Sequence, residues 1–221
     1  MSTGCGADGN LAAMEALESQ TLPARMTLIS HAPTLATKRA SFPLDEPLLE
    51  GESQKISATG WTVPRAQYVW CGPEQRTRQT AEALGLKPSV VMELSDVDYG
   101  SWGGKPIEDV QESDLEGLTS WLTDIDATPH GGESLAHLIA RVQRWMDGQT
   151  NAGHIIAVTH PAVIRAAIIC TLLAPAESFW KVEVPPLSIT DLRFNGRFWT
   201  MRSAGNPIRW SYENSPHNVT D

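Results

Sequence analysis

Two histidines in this chain each follow a short apolar segment of the kind that forms a buried strand. His31 comes directly after residues 26–30, and His160 comes directly after residues 154–159. Between them, Arg76 lies where a third such segment turns into a helical one. Because the carboxyl ends of parallel strands converge on one crevice, residues far apart in sequence can meet there. Two imidazoles and a guanidinium in one crevice would suit phosphoryl transfer.

Each of these groups has a chemical role that its type allows. His31 is the candidate nucleophile, because an imidazole nitrogen can attack phosphorus and form a phosphohistidine if that nitrogen is unprotonated. Arg76 would clamp phosphate oxygens near the first turn of a helix, and His160 would be a second phosphate ligand. The leaving oxygen needs a general acid. Three carboxylates of one segment compete for that role: Glu93, Asp96 and Asp98.

The elements that must position these residues alternate between strands and helices. Strand-like segments lie at 26–30, 67–71, 89–92, 154–159, 188–194 and 197–201, and helical ones at about 49–58, 74–84, 114–122, 133–147 and 162–173. The first four strands read as buried on both faces, and Asn195-Gly196 is a hairpin signal between the last two. The alternation predicts an α/β fold, a three-layer α/β/α sandwich around a mostly parallel sheet with an antiparallel strand. Long loops at 34–47 and 96–113 are expected to carry substrate contacts.

The bulk properties limit the function classes. The chain has 221 residues and a formal net charge of −9, which argues against a general nucleic-acid surface or an anionic membrane surface. Its three cysteines are scattered, unlike a disulfide framework or a cysteine metal site. We expect one domain at 26–210, a disordered N-terminal extension at 1–25 and a C-terminal tail at 211–221. With no apolar run of transmembrane length and no signal-peptide layout, we expect a cytoplasmic protein.

In this order, the segments resemble the histidine phosphatase superfamily, which includes the cofactor-dependent phosphoglycerate mutases and the α-ribazole phosphatases. The family's opening Arg-His-Gly falls on Ser30-His31-Ala32. Its Arg followed four residues later by Thr-Ala falls on Arg76 and Thr80-Ala81. Three further blocks match at 94–102, 132–134 and 159–161. The resemblance implies a phosphoglycerate mutase-like fold and a phosphatase activity.

The same resemblance implies roles for individual residues. His31 would be phosphorylated, Asp96 would donate the proton, and Arg76 and His160 would hold the phosphate. It implies no cofactor, no metal and a small phosphorylated molecule as ligand, and leaves a homodimer open. The residues expected to contact the substrate are Ser30, Thr34, Arg76, Glu133 and Ala162.

Three departures from the family pattern bear on activity. Ser30 replaces the first phosphate-binding arginine, and the loss of a charged hydrogen bond costs roughly 1.5–3 kcal/mol. Pro161 replaces a glycine and has no N–H to offer an anion. Asp96 is one methylene shorter than the usual glutamate. Lys38 or Arg39, on the loop that follows His31, is a candidate replacement for the missing charge.

These observations favour one function and leave alternatives. The leading hypothesis is a phosphomonoesterase, weak or specialised, that acts on a small phosphorylated metabolite through phosphohistidine at His31. The second is a catalytically impaired family member that binds an anion or a partner without turnover. A metal site formed by His31, His160 and Asp96 has less support, because Arg76 would repel a cation, and mutase activity is also disfavoured. Trp61, Trp102 and Trp180 either line a pocket or, as is more usual, pack in the core.

Overall fold

A computed structural model describes residues 23–208 of the chain. The predicted tail at 211–221 and residues 1–22 of the predicted extension lie outside the described residues. The first strand begins at Ala24, two residues before its predicted start at residue 26. Arg25 there donates its backbone N–H to the Gly153 carbonyl, at 2.7 Å.

The described chain alternates strands and helices. The strands are β1 (Ala24–Ser30), β2 (Tyr68–Cys71), β3 (Ser89–Val90), β4 (His154–Thr159), β5 (Ser188–Phe194) and β6 (Trp199–Pro207). The α-helices are α1 (Leu35–Arg39), α2 (Glu52–Ala58), α3 (Gln75–Ala83), α4 (Ile107–Ser113), α5 (Leu115–Thr123), α6 (Leu135–Asp147) and α7 (Pro161–Leu172). Short 3₁₀ turns lie at Met92–Leu94, Gly100–Trp102 and Ala176–Lys181.

Two of these helices lie in segments predicted as loops, α1 in 34–47 and α4 in 96–113. Helix α1 begins because the Thr34 side chain accepts the backbone N–H of Thr37, while the Thr37 hydroxyl accepts that of Thr34. This reciprocal cap lacks the usual glutamate or glutamine at its third position, so it does not stand out in the sequence. Helix α2 begins at residue 52 rather than 49, after Gly51 with φ of +81°.

The strands form one mixed sheet in the order β3-β2-β4-β1-β5-β6. Strands β1, β2, β3 and β4 pair in parallel, while β5 runs antiparallel to β1 and β6 antiparallel to β5. Strand β3 ends two residues before the predicted position because Met92 starts a 3₁₀ turn. The predicted α/β fold is confirmed.

The two faces of the sheet are covered by different helices, as the alternation of side chains along each strand requires. Leu28 and Ala157 face a core shared with α6 and α7, while Ile29 and Val158 face one shared with α2 and α3. A third, smaller cluster joins Phe42 to the turn and helices between residues 100 and 123. The sheet is therefore the middle of three layers. The third cluster lies beside these layers and includes helices α4 and α5, and we call this part of the molecule the cap.

Candidate active site

The parallel register places three strand exits side by side. Ser30 at the end of β1 is opposite Thr159 at the end of β4. Just beyond the strands, the His31 N–H donates to the Thr159 carbonyl at 2.9 Å, and the Gly72 N–H donates to the Val158 carbonyl at 3.0 Å. The rings of His31 and His160 come within 5.3 Å of each other, measured between centroids. Residues separated by more than a hundred positions thus share one edge of the sheet.

His31 is held as a neutral imidazole. Its Nδ1 lies 2.8 Å from the Ala32 carbonyl oxygen, which can only accept, so Nδ1 donates the hydrogen. Burial, reinforced by the nearby His160, lowers the pKa of His31 to about 3. Near neutral pH the proton therefore stays on Nδ1, and Nε2 keeps its lone pair.

Arg76, the second residue of α3, is a buried guanidinium with protein partners at both ends. Its Nη1 donates to the Leu44 carbonyl at 2.6 Å, and its Nη2 donates to Oδ2 of Asp96 at 2.7 Å. Its side chain is only 2% exposed. Within residues 23–208, its Nε has no hydrogen-bond partner. A carboxylate of the protein itself thus neutralises this cation.

Asp96 also faces His160. Its Oδ2 lies 3.3 Å from His160 Nδ1, although that pair lacks hydrogen-bond geometry. Burial alone would raise the pKa of Asp96, but His160 and then Arg76 outweigh it and hold that pKa far below its usual value. Burial would likewise lower the pKa of His160, whereas Asp96 and Glu74 raise it. The arrangement favours an aspartate anion beside an imidazolium cation.

Glu74 completes the cluster and is one of two charged residues of the site, with Arg165, that the sequence analysis does not identify. Its Oε2 lies 2.7 Å from Nε2 of His160, and its Oε1 accepts the backbone N–H of Asp96 at 2.9 Å. Burial opposes ionisation, but the hydrogen bond from His160 lowers the pKa of Glu74 overall. Its position at a strand exit, just before α3, is the sequence signal that could have indicated a site residue. That signal is not specific, because an acidic residue at the start of a helix also suits the helix dipole.

A cavity of about 220 Å³ opens onto this cluster, and we call it the His31 cavity. Its wall includes His31 and Asp96, but not Arg76 or His160. Its other walls come from the start of α1, the segment after it, the start of α7 and the segment before β5. Asp96 therefore lies between the open cavity and the two buried cations that would attract a phosphate.

The predicted substrate contacts divide into two groups. Thr34 and Ala162 line the His31 cavity. Ser30 does not line it: the residue is fully buried, and within the described chain its hydroxyl has no hydrogen-bond partner. Glu133 does not line it either, because both its carboxylate oxygens bind Arg141, at 2.9 and 2.7 Å.

That Arg141 side chain fixes the segment that carries Asp96. Its Nη1 donates to the carbonyls of Glu93 and Ser95 at 2.7 and 3.1 Å, and its Nη2 reaches the carbonyl of Asp96 at 3.4 Å. Glu133 therefore holds Arg141 in place, and it does not line the cavity in which a ligand contact is predicted. Of the three competing carboxylates, Asp96 reaches the cations, while Glu93 and Asp98 are exposed.

A different cation lines the cavity from those considered in the sequence. Lys38 and Arg39 are exposed at the end of α1 and are not part of the wall. Arg165, one turn into α7, is part of it. Pro161 also lines the cavity, and Arg165 follows it by four residues. Because residues four apart share a helix face, this spacing is the sequence signal that could have indicated Arg165.

Comparison with known proteins identifies the family of this chain. Residues 26–207 match the model of the histidine phosphatase superfamily, branch 1. The chain belongs to this superfamily. An adenosylcobalamin/alpha-ribazole phosphatase of Salmonella typhimurium is 28% identical over 124 residues, which are 52% of this chain and 61% of that protein. A bifunctional protein of Mycobacterium tuberculosis is 29% identical over 185 residues, 78% of this chain and 50% of its own length.

The histidine phosphatase fold is also found in solved structures. A putative alpha-ribazole-5'-P phosphatase of Escherichia coli superimposes with a TM-score of 0.75 at 23% identity, covering 86% of this chain and 99% of that one. A mycobacterial glucosyl-3-phosphoglycerate phosphatase gives 0.70 at 18% identity, covering 84% and 100%. The predicted family is confirmed, and the chain spans about half to three fifths of the length of the curated relatives named above.

Two further features of the described residues concern metal sites and membrane-spanning helices. Across residues 23–208, no group of three or more His, Cys, Asp and Glu side chains is arranged to hold a metal ion. Within the same range, no helix has the length and apolar character needed to cross a membrane.

Replacing Asp96 tests whether its carboxylate competes with an external anion. We expect Asp96→Asn to bind sulfate about 10-fold more tightly at pH 7, because an anion no longer has to displace a like charge from Arg76 and His160. Isothermal titration calorimetry measures the affinity. Asp109→Asn, on the exposed face of α4, controls for the change in net charge and should leave the affinity unchanged. Equal sulfate affinity in Asp96→Asn and the unaltered protein would contradict the competition.

Glu74 should make stability depend on pH through His160. An unfolded histidine titrates near about pH 6.5, and the fold raises the pKa of His160, so the resulting stabilisation is complete below that pH. It is lost as pH rises through the raised pKa. Glu74→Gln should reduce this loss in the free energy of unfolding, measured by urea titration at several pH values. Glu82→Gln, exposed on α3, should keep the full loss, and identical slopes in both variants would refute this role for Glu74.

Proposed function

We propose that this chain is a phosphomonoesterase that hydrolyses a small phosphorylated molecule through a phosphohistidine at His31. The observation that carries the proposal is the state of His31, which is neutral, buried and oriented through Nδ1 at the wall of an open cavity. Such an imidazole presents an unprotonated Nε2 without waiting for a base. Arg76 and His160, directly behind Asp96, are the cations that would hold the phosphate.

The proposed reaction has two displacement steps. Nε2 of His31 attacks phosphorus, an N–P bond forms, and the ester P–O bond breaks as the leaving oxygen takes a proton from Asp96. Water then attacks the phosphohistidine, the N–P bond breaks, and Asp96 takes back a proton from the water. Inorganic phosphate leaves, and His31 is again neutral.

In this scheme Asp96 takes up its proton from solvent water when the substrate binds. Without a ligand, Asp96 is ionised because two cations face it. A phosphate that binds Arg76 and His160 in place of Asp96 removes the stabilisation of the carboxylate by these cations. It also adds negative charge beside the carboxylate, and both changes raise the pKa of Asp96. Binding therefore converts an internal counter-ion into the general acid.

The unusual residues in the site explain why we propose a weak or specialised enzyme. The buried cluster contains two cations, Arg76 and His160, and two carboxylates, Asp96 and Glu74, so it is balanced before any ligand arrives. Ser30 supplies no charge. A phosphate dianion consequently gains less here than in a site with surplus positive charge.

Loss of His31 should abolish turnover. We expect His31→Ala to lower kcat by at least about 10³-fold on any phosphomonoester that the protein hydrolyses, because no other group replaces the nucleophile. Release of inorganic phosphate is the measurement, with acid-labile labelling as a second readout. His137→Ala, on the exposed face of α6, is the matched control and should keep full activity. Undiminished turnover in His31→Ala would remove the proposed mechanism.

A second candidate function is anion binding without turnover. It is favoured by Asp96, which occupies the two cations, by Ser30, which supplies no charge, and by Pro161, which supplies no N–H. This candidate requires sulfate affinity together with no phosphate release from a broad panel of phosphomonoesters. Measurable turnover that depends on His31 would exclude it.

Restoring a cation at position 30 should strengthen catalysis. We expect Ser30→Arg to raise kcat/KM about 10- to 100-fold, because a charged fork adds roughly 1.5–3 kcal/mol of interaction with the phosphate. Ser30→Met adds comparable bulk without charge and should give no increase. Circular dichroism and thermal unfolding check that both variants fold. Equal kcat/KM in the folded Arg and Met variants would show that a charge at this position does not contribute.

A further inference from the structure

A second, larger cavity adjoins the His31 cavity. It encloses about 430 Å³, within the range of about 300–1,000 Å³ that is usual for small-molecule sites. The two cavities share five wall residues: Ser41, Pro43, Tyr99, Ala162 and Arg165. They are therefore neighbouring compartments of one depression at the edge of the sheet.

Aromatic side chains dominate the wall of this second space, which we call the aromatic cavity. Those that line it are Phe42, Tyr99, Trp121, Phe179 and Trp180. Trp121 and Trp180 meet edge to face, with centroids 4.6 Å apart and planes at 67°. Leu118, Leu135 and Leu138 contribute further apolar surface. Such walls offer ring faces and edges to a flat apolar group rather than hydrogen bonds to a polar one.

The aromatic cavity is a cleft that is partly open to solvent, and Ile107 and Leu122 of its wall are exposed. The apolar side chains of its wall lack packing partners on the side that faces the open space. The space lies between the cap helices α4 and α5 and the helices α6 and α7 of the main layer. A ligand group that fills it would recover the lost contacts.

Arg165 joins the two compartments. Its Nε donates to the Val182 carbonyl at 2.8 Å, and its guanidinium lies 5.6 Å from the centre of the Phe179 ring. Among the described residues, its two terminal nitrogens have no hydrogen-bond partner. A cation held in this way can bind an anion in the His31 cavity while its flank contacts an aromatic group.

We propose that the aromatic cavity binds an aromatic ring system of the substrate, whose phosphate lies in the His31 cavity beside Arg165. The substrate class is then a phosphate monoester that carries a flat, largely apolar ring, rather than a small polyhydroxy phosphate. Hydrolysis of this ligand rests on the proposed function, whereas its binding does not.

Phosphonates test the binding separately, because their carbon–phosphorus bond is not hydrolysed. We expect (1-naphthyl)methylphosphonate to bind about 100-fold more tightly than methylphosphonate, since the two share the anion and differ by a buried ring. Isothermal titration calorimetry on the unaltered full chain measures both affinities. Equal affinities would overturn the proposal.

Variants of α5 locate the ring. Leu122 lines the aromatic cavity and is 44% exposed, so Leu122→Trp should fill the space and reduce the preference for the naphthyl compound to below about 3-fold. Leu115, on the same helix but outside the cavity wall, is the matched control, and Leu115→Trp should keep the full preference. Ile107→Trp, on the α4 side of the wall, repeats the test should Leu122→Trp not fold. A full preference in a folded cavity-filling variant would overturn the assignment.

The outcomes separate this proposal from the proposed function. A naphthyl preference lost in Leu122→Trp, without hydrolysis of any phosphomonoester, supports the ring site and removes the phosphatase proposal. Hydrolysis that depends on His31, together with equal phosphonate affinities, supports the phosphatase proposal and removes the ring site.

Discussion

The site depends on the need to neutralise a buried guanidinium. Arg76 is almost completely enclosed and lies close to the buried His160. An isolated buried charge is too costly to keep, so each such group must have hydrogen bonds and a counter-charge. Asp96 supplies that charge, and the Leu44 carbonyl accepts a second hydrogen bond. The fold must therefore place Asp96 at the strand exits, and the contacts of the segment that carries Asp96 hold it there.

Glu74 extends the same constraint to His160. With one carboxylate on each side, the imidazole is favoured as a cation although it is fully buried. His31, whose ring lies beside that of His160, has no hydrogen bond or ion pair with a carboxylate among residues 23–208 and stays neutral. Two histidines at neighbouring strand ends are thus driven to opposite protonation states. That difference allows one of them to act as a nucleophile and the other as an anion ligand.

The sequence was sufficient to predict the sheet and the meeting of His31, Arg76 and His160. Apolar, β-branched segments identify buried parallel strands, and parallel strands bring their exits together. Short helices such as α1 and α4 were missed because they are held by local capping and tertiary contacts rather than by a long apolar stripe. The sequence favours core packing for Trp180, and only the packing of α5 against the 3₁₀ turn at Ala176–Lys181 shows that it lines a cavity.

The partners of charged side chains were the least predictable feature. Glu133 was expected to contact substrate, but its partner Arg141 is eight residues away and contacts a third segment. No sequence spacing encodes that arrangement, because it depends on how α6 packs beside the segment that follows β3. The position of Arg165 in the cavity wall could not be predicted from the sequence for a similar reason, because it depends on how the cap packs against the rest of the fold.

Arg141 donates hydrogen bonds to three backbone carbonyls of the segment that carries Asp96. These bonds limit the motions by which the site can admit a ligand. With the backbone at Glu93, Ser95 and Asp96 fixed by hydrogen bonds, only the short side chain of Asp96 remains to rotate. Displacement of the Asp96 carboxylate from Arg76 and His160 would therefore involve two torsion angles of one side chain and no shift of the backbone that carries it.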